Sequence, residues 1–288
     1  NDARRNLAWD AALKAAIRPG MLVLEIGTGA GMLALMAARA GASVVTCETN
    51  AVAAAAAVEL AALNGYADRI DVVPANSKDL RVGEHLDRPA DLLVCDIFAD
   101  GLLGFEPLSA IADARERLLA PGAPSVPRAA SLRAALAHWE DYPRTGHIGR
   151  AAGFDLAPFA DFVPAAIARP IDVAGLALLS VDEAVFRFAF DGGPRPASSG
   201  RTAVSLEVTE SGEANAIARW IRLELGGDIV LEARPEPGGT FFSGLTLAPL
   251  DAPVAVQAGD AATIGAAHNG SAVDTWLKAV GGPPGPKD

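Results

Sequence analysis

Three acids and three glycines hold the chemistry this chain can be expected to do. Glu25 closes an apolar run and is followed by Gly27, Thr28, Gly29, Ala30 and Gly31, with the glycines at every second position. Alternating glycines clear side chains from a loop, so that a ligand can lie against its backbone. A dinucleotide loop of the form G-x-G-x-x-G needs its third glycine at position 32, where Met32 stands. The lysine of a phosphate-cradling loop is also missing. An acid beside the glycines repels a pyrophosphate and suits a cationic, amine-bearing ligand. A tight turn that uses glycine for geometry alone is the bland alternative. Glu48 ends the next β-branched run, where a carboxylate can accept hydrogen bonds from both ribose hydroxyls of a nucleoside. A solvated strand end would put the same residue there. Asp96 closes a further apolar run that starts at Asp91.

These residues need a scaffold, and the surrounding pattern supplies one. Met21 to Ile26, Ser43 to Glu48, Ile70 to Val73 and Asp91 to Asp96 read as strands from their short apolar or β-branched runs. Leu7 to Ile17, Met32 to Ala40, Ala51 to Leu63 and Pro107 to Leu119 read as helices, and Asn64-Gly65 closes the third as helix stop signals do. Alternating elements of this kind predict an α/β fold with a parallel sheet and ligands at the carboxyl ends of its strands. Glu25, Glu48 and Asp96 all fall on that edge.

From about Val126 the period changes to two. Ala184 to Phe190, Gly200 to Glu210, Ala214 to Leu225, Asp228 to Arg234, Phe242 to Leu247 and Val254 to Gln257 read as strands divided by Gly/Pro turns. The expected organisation is a ligand-binding domain over 1–124, then a mostly antiparallel β-barrel or sandwich domain over 125–280. The stretch at about 140–170 has no clear period and is expected to project as an arm. Residues 281–288, rich in Gly and Pro, are expected to form a disordered tail.

Composition excludes several classes. At 288 residues with 51% apolar content, the chain can bury a large core without disulfides or metal. Cys47 and Cys95 are the only cysteines, both inside predicted strands, which suits free thiols in a reducing, cytoplasmic setting. The four histidines show no ligand spacing, so no metal is expected. A net charge of −11 counts against a non-specific nucleic-acid binder. No apolar run reaches the length of a membrane span, and no signal peptide opens the sequence. It starts at Asn1 rather than Met, so upstream sequence could be missing.

The whole pattern resembles the protein arginine methyltransferases. In that family of class I S-adenosylmethionine-dependent enzymes, a Rossmann-like cofactor domain runs into a β-barrel interrupted by a dimerisation arm. Glu25, Gly27, Gly29 and Gly31, with Thr28 between them, match motif I, and Glu48 matches the ribose acid. The opening run Asn1 to Asn6 resembles the D-x-x-R element, which implies that Arg5 binds the carboxylate of the cofactor's methionine part. A guanidinium suits that task. The run Asn76-Ser77-Lys78-Asp79 falls where the family contacts the adenine ring, which implies Asn76 and Ser77 as cofactor contacts. The run Gly153 to Phe159 resembles part of the dimerisation arm, and Pro249 to Asp260 resembles the late barrel strands. The nearest branch is the monomethylating one and its bacterial relatives. The resemblance implies S-adenosylmethionine as cofactor, an arginine-containing protein or peptide or a small guanidine or amine as acceptor, and a homodimer.

The acceptor end matches less well. The family holds its substrate guanidinium with two glutamates on one loop, because arginine stays protonated and two carboxylates match its donor fork. Here the first aligns with Asp96, while the second falls on Phe105, with Glu106 one residue later. Asp96 and Glu106 are therefore the candidate catalytic pair. They imply a working clamp, a different acceptor, or a cofactor-binding relative that no longer transfers. Glu106-Pro107 also makes an ordinary helix start. Asp100 reads as a solvated loop residue. His138 and Trp139 read as core or surface residues, with an acceptor groove as the alternative. The family's Thr-His-Trp element is replaced by the run Gly239 to Phe242, which has no histidine.

Overall fold

The computed structural model describes residues 2–141, 149–156, 158, 166–169, 172–192, 196–236 and 244–282. Four helices, α1 (Ala3–Ala16), α2 (Met32–Arg39), α3 (Ala51–Leu63) and α4 (Pro107–Arg117), alternate with five strands, β1 (Leu22–Ile26), β2 (Ser43–Cys47), β3 (Ile70–Val73), β4 (Leu92–Cys95) and β5 (Ser125–Val126). The first helix starts four residues earlier than expected, because the Asp2 side chain caps it by accepting from the Arg5 amide at 2.9 Å. Trp9 and Leu13, fully buried, fix its inner face. The third helix ends at Leu63 with Asn64 as its C-cap and Gly65 in the left-handed region at φ 76°, as the Asn-Gly pair predicts.

The five strands are parallel, in the order β3-β2-β1-β4-β5. The chain moves outward from β1 to β3 and then returns to the other side of β1. The order therefore reverses between β1 and β4, and the crevice beyond their carboxyl ends is where such sheets bind ligands. Gly27 and Asp96 follow those two strands directly.

The second half is antiparallel. Its strands are β6 (Ala129–Trp139), β7 (Arg150–Ala151), β8 (Phe154–Asp155), β9 (Ile167–Arg169), β10 (Leu176–Leu178), β11 (Glu183–Ala189), β12 (Gly200–Glu207), β13 (Gly212–Gly226), β14 (Ile229–Glu232), β15 (Leu245–Val256), β16 (Ala261–His268) and β17 (Val273–Gly281). A seven-stranded sheet is built on β10-β6-β13-β15-β9, with β11 on β6 and β14 on β13. A three-stranded sheet runs β12-β16-β17. Among the described residues these sheets do not close into a barrel. They are bridged by buried Arg219 of β13, which donates to the Val273 carbonyl in β17 at 2.7 Å and to Thr246 Oγ1 in β15 at 3.1 Å. Burial lowers the Arg219 pKa to about 10, so it stays charged at neutral pH.

Several expectations need adjusting. Phe242 to Leu247 and Val254 to Gln257 are not separate strands: residues 245–256 form one strand, β15, with Pro249 and Pro253 inside it. Pro249 pairs with Ala216, and Pro253 lies in a bulge of β15 itself, where residues 250–253 face Asn215 of β13. Gly281, assigned to the tail, ends β17; residues 283–288 lie outside the described set. So does the run Gly239 to Phe242, and so do Ala157 and Phe159 of the presumed arm. The described part of that arm holds the β7–β8 hairpin, with Phe154 exposed. No described helix is long and apolar enough to cross a membrane.

Candidate functional site

The glycine loop is tied down before any ligand is considered. The amides of Gly27 and Thr28 both donate to the Cys47 carbonyl, at 3.0 and 3.1 Å, and the Gly31 amide donates to the Thr28 carbonyl at 2.8 Å. Gly27, Gly29 and Gly31 have φ of 79°, 50° and 74°, a region that costs an L side chain about 1–2 kcal/mol. A Cβ on Gly27 would lie 2.3 Å from Ile97 Cγ2. Gly31 is the N-cap of α2, and a Cβ there would be in ordinary contact with Ala57.

Glu25 sits behind this loop rather than in the cavity wall. It is 2% exposed, and its Oε2 accepts from Thr28 Oγ1 at 2.8 Å and Thr46 Oγ1 at 2.6 Å. Burial pushes its pKa up, and the two hydroxyls pull the other way. Thr28 is itself buried. In this structure Glu25 and Thr28 brace the loop.

A cavity of about 640 Å³ opens over the crevice. That is the usual size for a cofactor site. Gly27, Gly29, Glu48, Asn76, Ser77, Asp96 and Glu106 line it, so one space gathers seven of the eleven candidate residues. Glu48 Oε2 accepts from the Gly29 amide at 3.0 Å, and Oε1 from the Asn50 amide at 2.9 Å and the Thr49 hydroxyl at 3.5 Å, which fixes the carboxylate and leaves a lone pair on Oε2. Asn76 Oδ1 accepts from the Lys78 amide at 3.0 Å and starts a short 3-10 turn that carries buried Ser77. Lys78 and Phe105, which the resemblance sets at the adenine contact and at the second clamp position, also line the wall, as does Ile97, which sequence reading missed. Apolar Ile97 gave no chemical signal.

At the acceptor end Asp96 pairs with the Arg5 guanidinium, which reaches it from α1. The Asp96 side chain is 14% exposed, and burial raises its pKa while Arg5 opposes the rise. Glu106 is the N-cap of α4, but its side chain does not cap; it has φ 53° and ψ 43°. Left-handed backbone at a non-glycine residue costs about 1–3 kcal/mol and concentrates at functional sites. Glu106 Oε2 lies 3.8 Å from Lys78 Nζ, and exposed Phe105 precedes it. Asp100 is not the solvated residue expected, since its Oδ1 accepts from the Gly244 amide at 2.9 Å. Trp139 is buried in the second sheet, and His138 Nδ1 meets the Glu213 carbonyl at 2.7 Å.

Cys47 and Cys95 are buried free thiols whose pKa values burial raises to about 11 and about 12. Both stay protonated at neutral pH and are poor nucleophiles. No group of three or more His, Cys, Asp or Glu able to hold a metal occurs among the described residues.

The family model for ribosomal protein L11 methyltransferase (PrmA) matches residues 10–122, which span β1 to β4 of the parallel sheet but not β5 or the second half. The arginine N(omega)-methyltransferase of Streptomyces achromogenes subsp. streptozoticus is 34% identical over 262 residues, covering 90% of this chain and 72% of its own. This chain belongs to the arginine methyltransferase family. It is an S-adenosylmethionine-dependent methyltransferase. Protein arginine N-methyltransferase 7 of Oryza sativa subsp. indica is 30% identical over 257 residues; there the match covers 82% of this chain but 36% of the rice protein. Solved structures of the arginine methyltransferase fold superpose on both halves. One is the Trypanosoma brucei PRMT1 enzyme-prozyme heterotetrameric complex with AdoHcy, at 20% identity and a TM-score of 0.78, covering 92% of this chain and 84% of that one. Another is Arabidopsis thaliana protein arginine methyltransferase 10, with the same TM-score and identity. The fold is therefore the Rossmann-like parallel sheet followed by antiparallel sheets that this family shares.

Proposed function

We propose that this arginine methyltransferase moves a methyl group from S-adenosylmethionine to a guanidinium nitrogen of an arginine carried by a protein or peptide. The observation that carries the reading is that Asp96, half-buried in the wall of the cavity, already holds a guanidinium, that of Arg5. A site that stabilises one guanidinium on Asp96 has the charge and shape to hold another.

The cofactor supplies an electrophilic methyl carbon on a sulfonium. The chain's part is to hold both partners and keep them aligned. Gly27 and Gly29 leave backbone space for the nucleoside, Gly31 lets α2 start close behind them, and Glu25 and Thr28 brace that loop. Glu48 takes the ribose hydroxyls, Asn76 and Ser77 flank the adenine, and Arg5 takes the carboxylate. Arg5 thus exchanges one carboxylate for another, leaving Asp96 to the acceptor. Asp96 and Glu106 then fix the acceptor guanidinium and direct one nitrogen at the methyl carbon. As its nitrogen bonds to the methyl carbon and displaces the sulfur with the C–S electron pair, positive charge builds on the guanidinium; the carboxylates stabilise that charge, and the surplus proton passes to one of them or to water.

Phe105, standing where the second clamp acid is expected and lining the cavity, supports a second reading in which the acceptor is a small guanidine or amine. Its ring offers a face to a cation without the second charge. We propose a homodimer on the resemblance of the arm. Mass in solution tests that assignment, and a monomer would remove it.

Calorimetry with S-adenosylhomocysteine, followed by mass spectrometry of products from arginine peptides, free arginine and lysine peptides, tests the assignment. Methylated arginine peptide is the expected product, and free arginine as the only product would favour the second reading. The clamp is wrong if Asp96→Asn and Glu106→Gln both leave turnover intact.

A further inference from the structure

The loop that carries both candidate clamp acids, from Asp96 to Glu106, is attached to the second half of the molecule at two points. Phe98 stacks on Phe190, with ring centroids 5.9 Å apart, and Asp100 Oδ1 accepts from the Gly244 amide. We infer that Asp100 is a positioning residue for methyl transfer: it sets the Asp96–Glu106 loop by anchoring it to Gly244. The inference rests on the reading of Asp96 and Glu106 as the acceptor clamp.

The anchor point is closely packed on its own side. Gly244 has φ 107°, and a Cβ there would lie 2.8 Å from Ala233 Cβ and 2.9 Å from Ile221 Cγ1. Its carbonyl accepts from the Ile221 amide of β13 at 3.2 Å, so the amide offered to Asp100 is fixed by the seven-stranded sheet. The loop is just as closely determined. Leu102 is fully buried in a left-handed conformation at φ 74°, next to fully buried Leu103, and the Leu102 amide donates to the Ala99 carbonyl at 2.7 Å. A Cβ on Gly104 would lie 2.7 Å from Ala99 Cβ. A loop folded this tightly transmits a shift at Asp100 to Glu106, whose own φ of 53° is held only by its surroundings. Asp100 makes its bond through a carboxylate oxygen, so an amide oxygen in the same place keeps the anchor and a methyl group removes it.

Asp100→Ala should lower kcat/KM for the acceptor about ten- to a hundredfold, since a misplacement of about 1 Å away from the chemistry costs that much. Affinity for S-adenosylhomocysteine by calorimetry should stay within about twofold. Asp100→Asn should restore turnover, and Asp100→Glu, one methylene longer, should not. Hydrogen exchange at the Gly244 amide, read on the whole protein, should be slow in the native chain and in Asp100→Asn and fast in Asp100→Ala. Equal losses of cofactor affinity and turnover would make the residue merely structural. An Asn variant as impaired as the Ala variant would assign the effect to charge, and unchanged exchange would dismiss the anchor. Each outcome overturns the inference. If Asp100→Ala does not fold, the Asn and Glu variants decide between anchor and charge alone. The exchange readout does not involve the acceptor, so failure of the clamp reading shows instead in the Asp96 and Glu106 variants.

Discussion

Gly27 offers a quantitative test of the cofactor loop. Replacing it with alanine asks an L side chain to adopt φ 79°, at about 1–2 kcal/mol, and drives a methyl to 2.3 Å from Ile97 Cγ2. Overpacking of that kind costs about 1–3 kcal/mol, so Gly27→Ala should lose about 2–5 kcal/mol in all. The two contributions can be separated, because the next atom of Ile97 is its Cβ, at an ordinary 3.8 Å. In an Ile97→Ala background the steric part vanishes and the backbone part remains. Gly27→Ala should therefore cost about 1–3 kcal/mol less there than in the native chain, a coupling within the range seen for touching residues. Ile97→Val keeps the branch that clashes and should give no such relief. Urea unfolding of the single and double variants gives the cycle, and S-adenosylhomocysteine calorimetry shows whether the relieved loop binds again. Additive free energies to within about 0.5 kcal/mol would mean that the close approach of Gly27 and Ile97 does not shape the pocket.

Glu25 should leave a pH signature on stability. Burial raises its folded pKa above the ordinary 4.5, so its protonated form favours folding; that contribution is complete below the unfolded pKa and is lost as pH rises through the folded one. The native chain should accordingly lose stability relative to Glu25→Gln as pH is raised from about 4.5, measured by urea unfolding at stepped pH; a constant difference would refute this. Arg219→Met should cost about 2–4 kcal/mol, because it leaves the Val273 carbonyl and Thr246 hydroxyl without their buried donor. A fall in the urea midpoint with unchanged slope would show it. Cys47 and Cys95 should resist a disulfide-exchange thiol reagent in the native protein and react on unfolding, since both are buried and held protonated. Rapid native labelling would contradict that burial.

Much of the ligand-binding half was legible because its signals are local. The bounds of α3 and β3 follow from an alanine run with capping residues and a short β-branched run, which act over one or two turns of chain. The acid and alternating glycines are likewise contiguous, and their conformation follows from having no Cβ. The antiparallel half was less legible. Residues 261–268 and 273–281 form β16 and β17 although alanine and polar residues blur their alternation, and their strand state comes from pairing with each other and with β12. Pro249 and Pro253 look like breakers until a bulge in β15 itself, against β13, accommodates them.

Sequence alone fixed which groups are available: the glycine loop, the acids at strand ends, the absence of a metal-ligand pattern, and the order of a parallel half before an antiparallel one. Tertiary structure alone decided what those groups touch. Arg5 meets Asp96 across 91 positions and Asp100 meets Gly244 across 144, while Glu25 turns away from the cavity to serve two threonines. Periodicity constrains residues a few positions apart, whereas an ion pair or an anchoring hydrogen bond forms only once the packed sheets bring distant segments within about 3 Å.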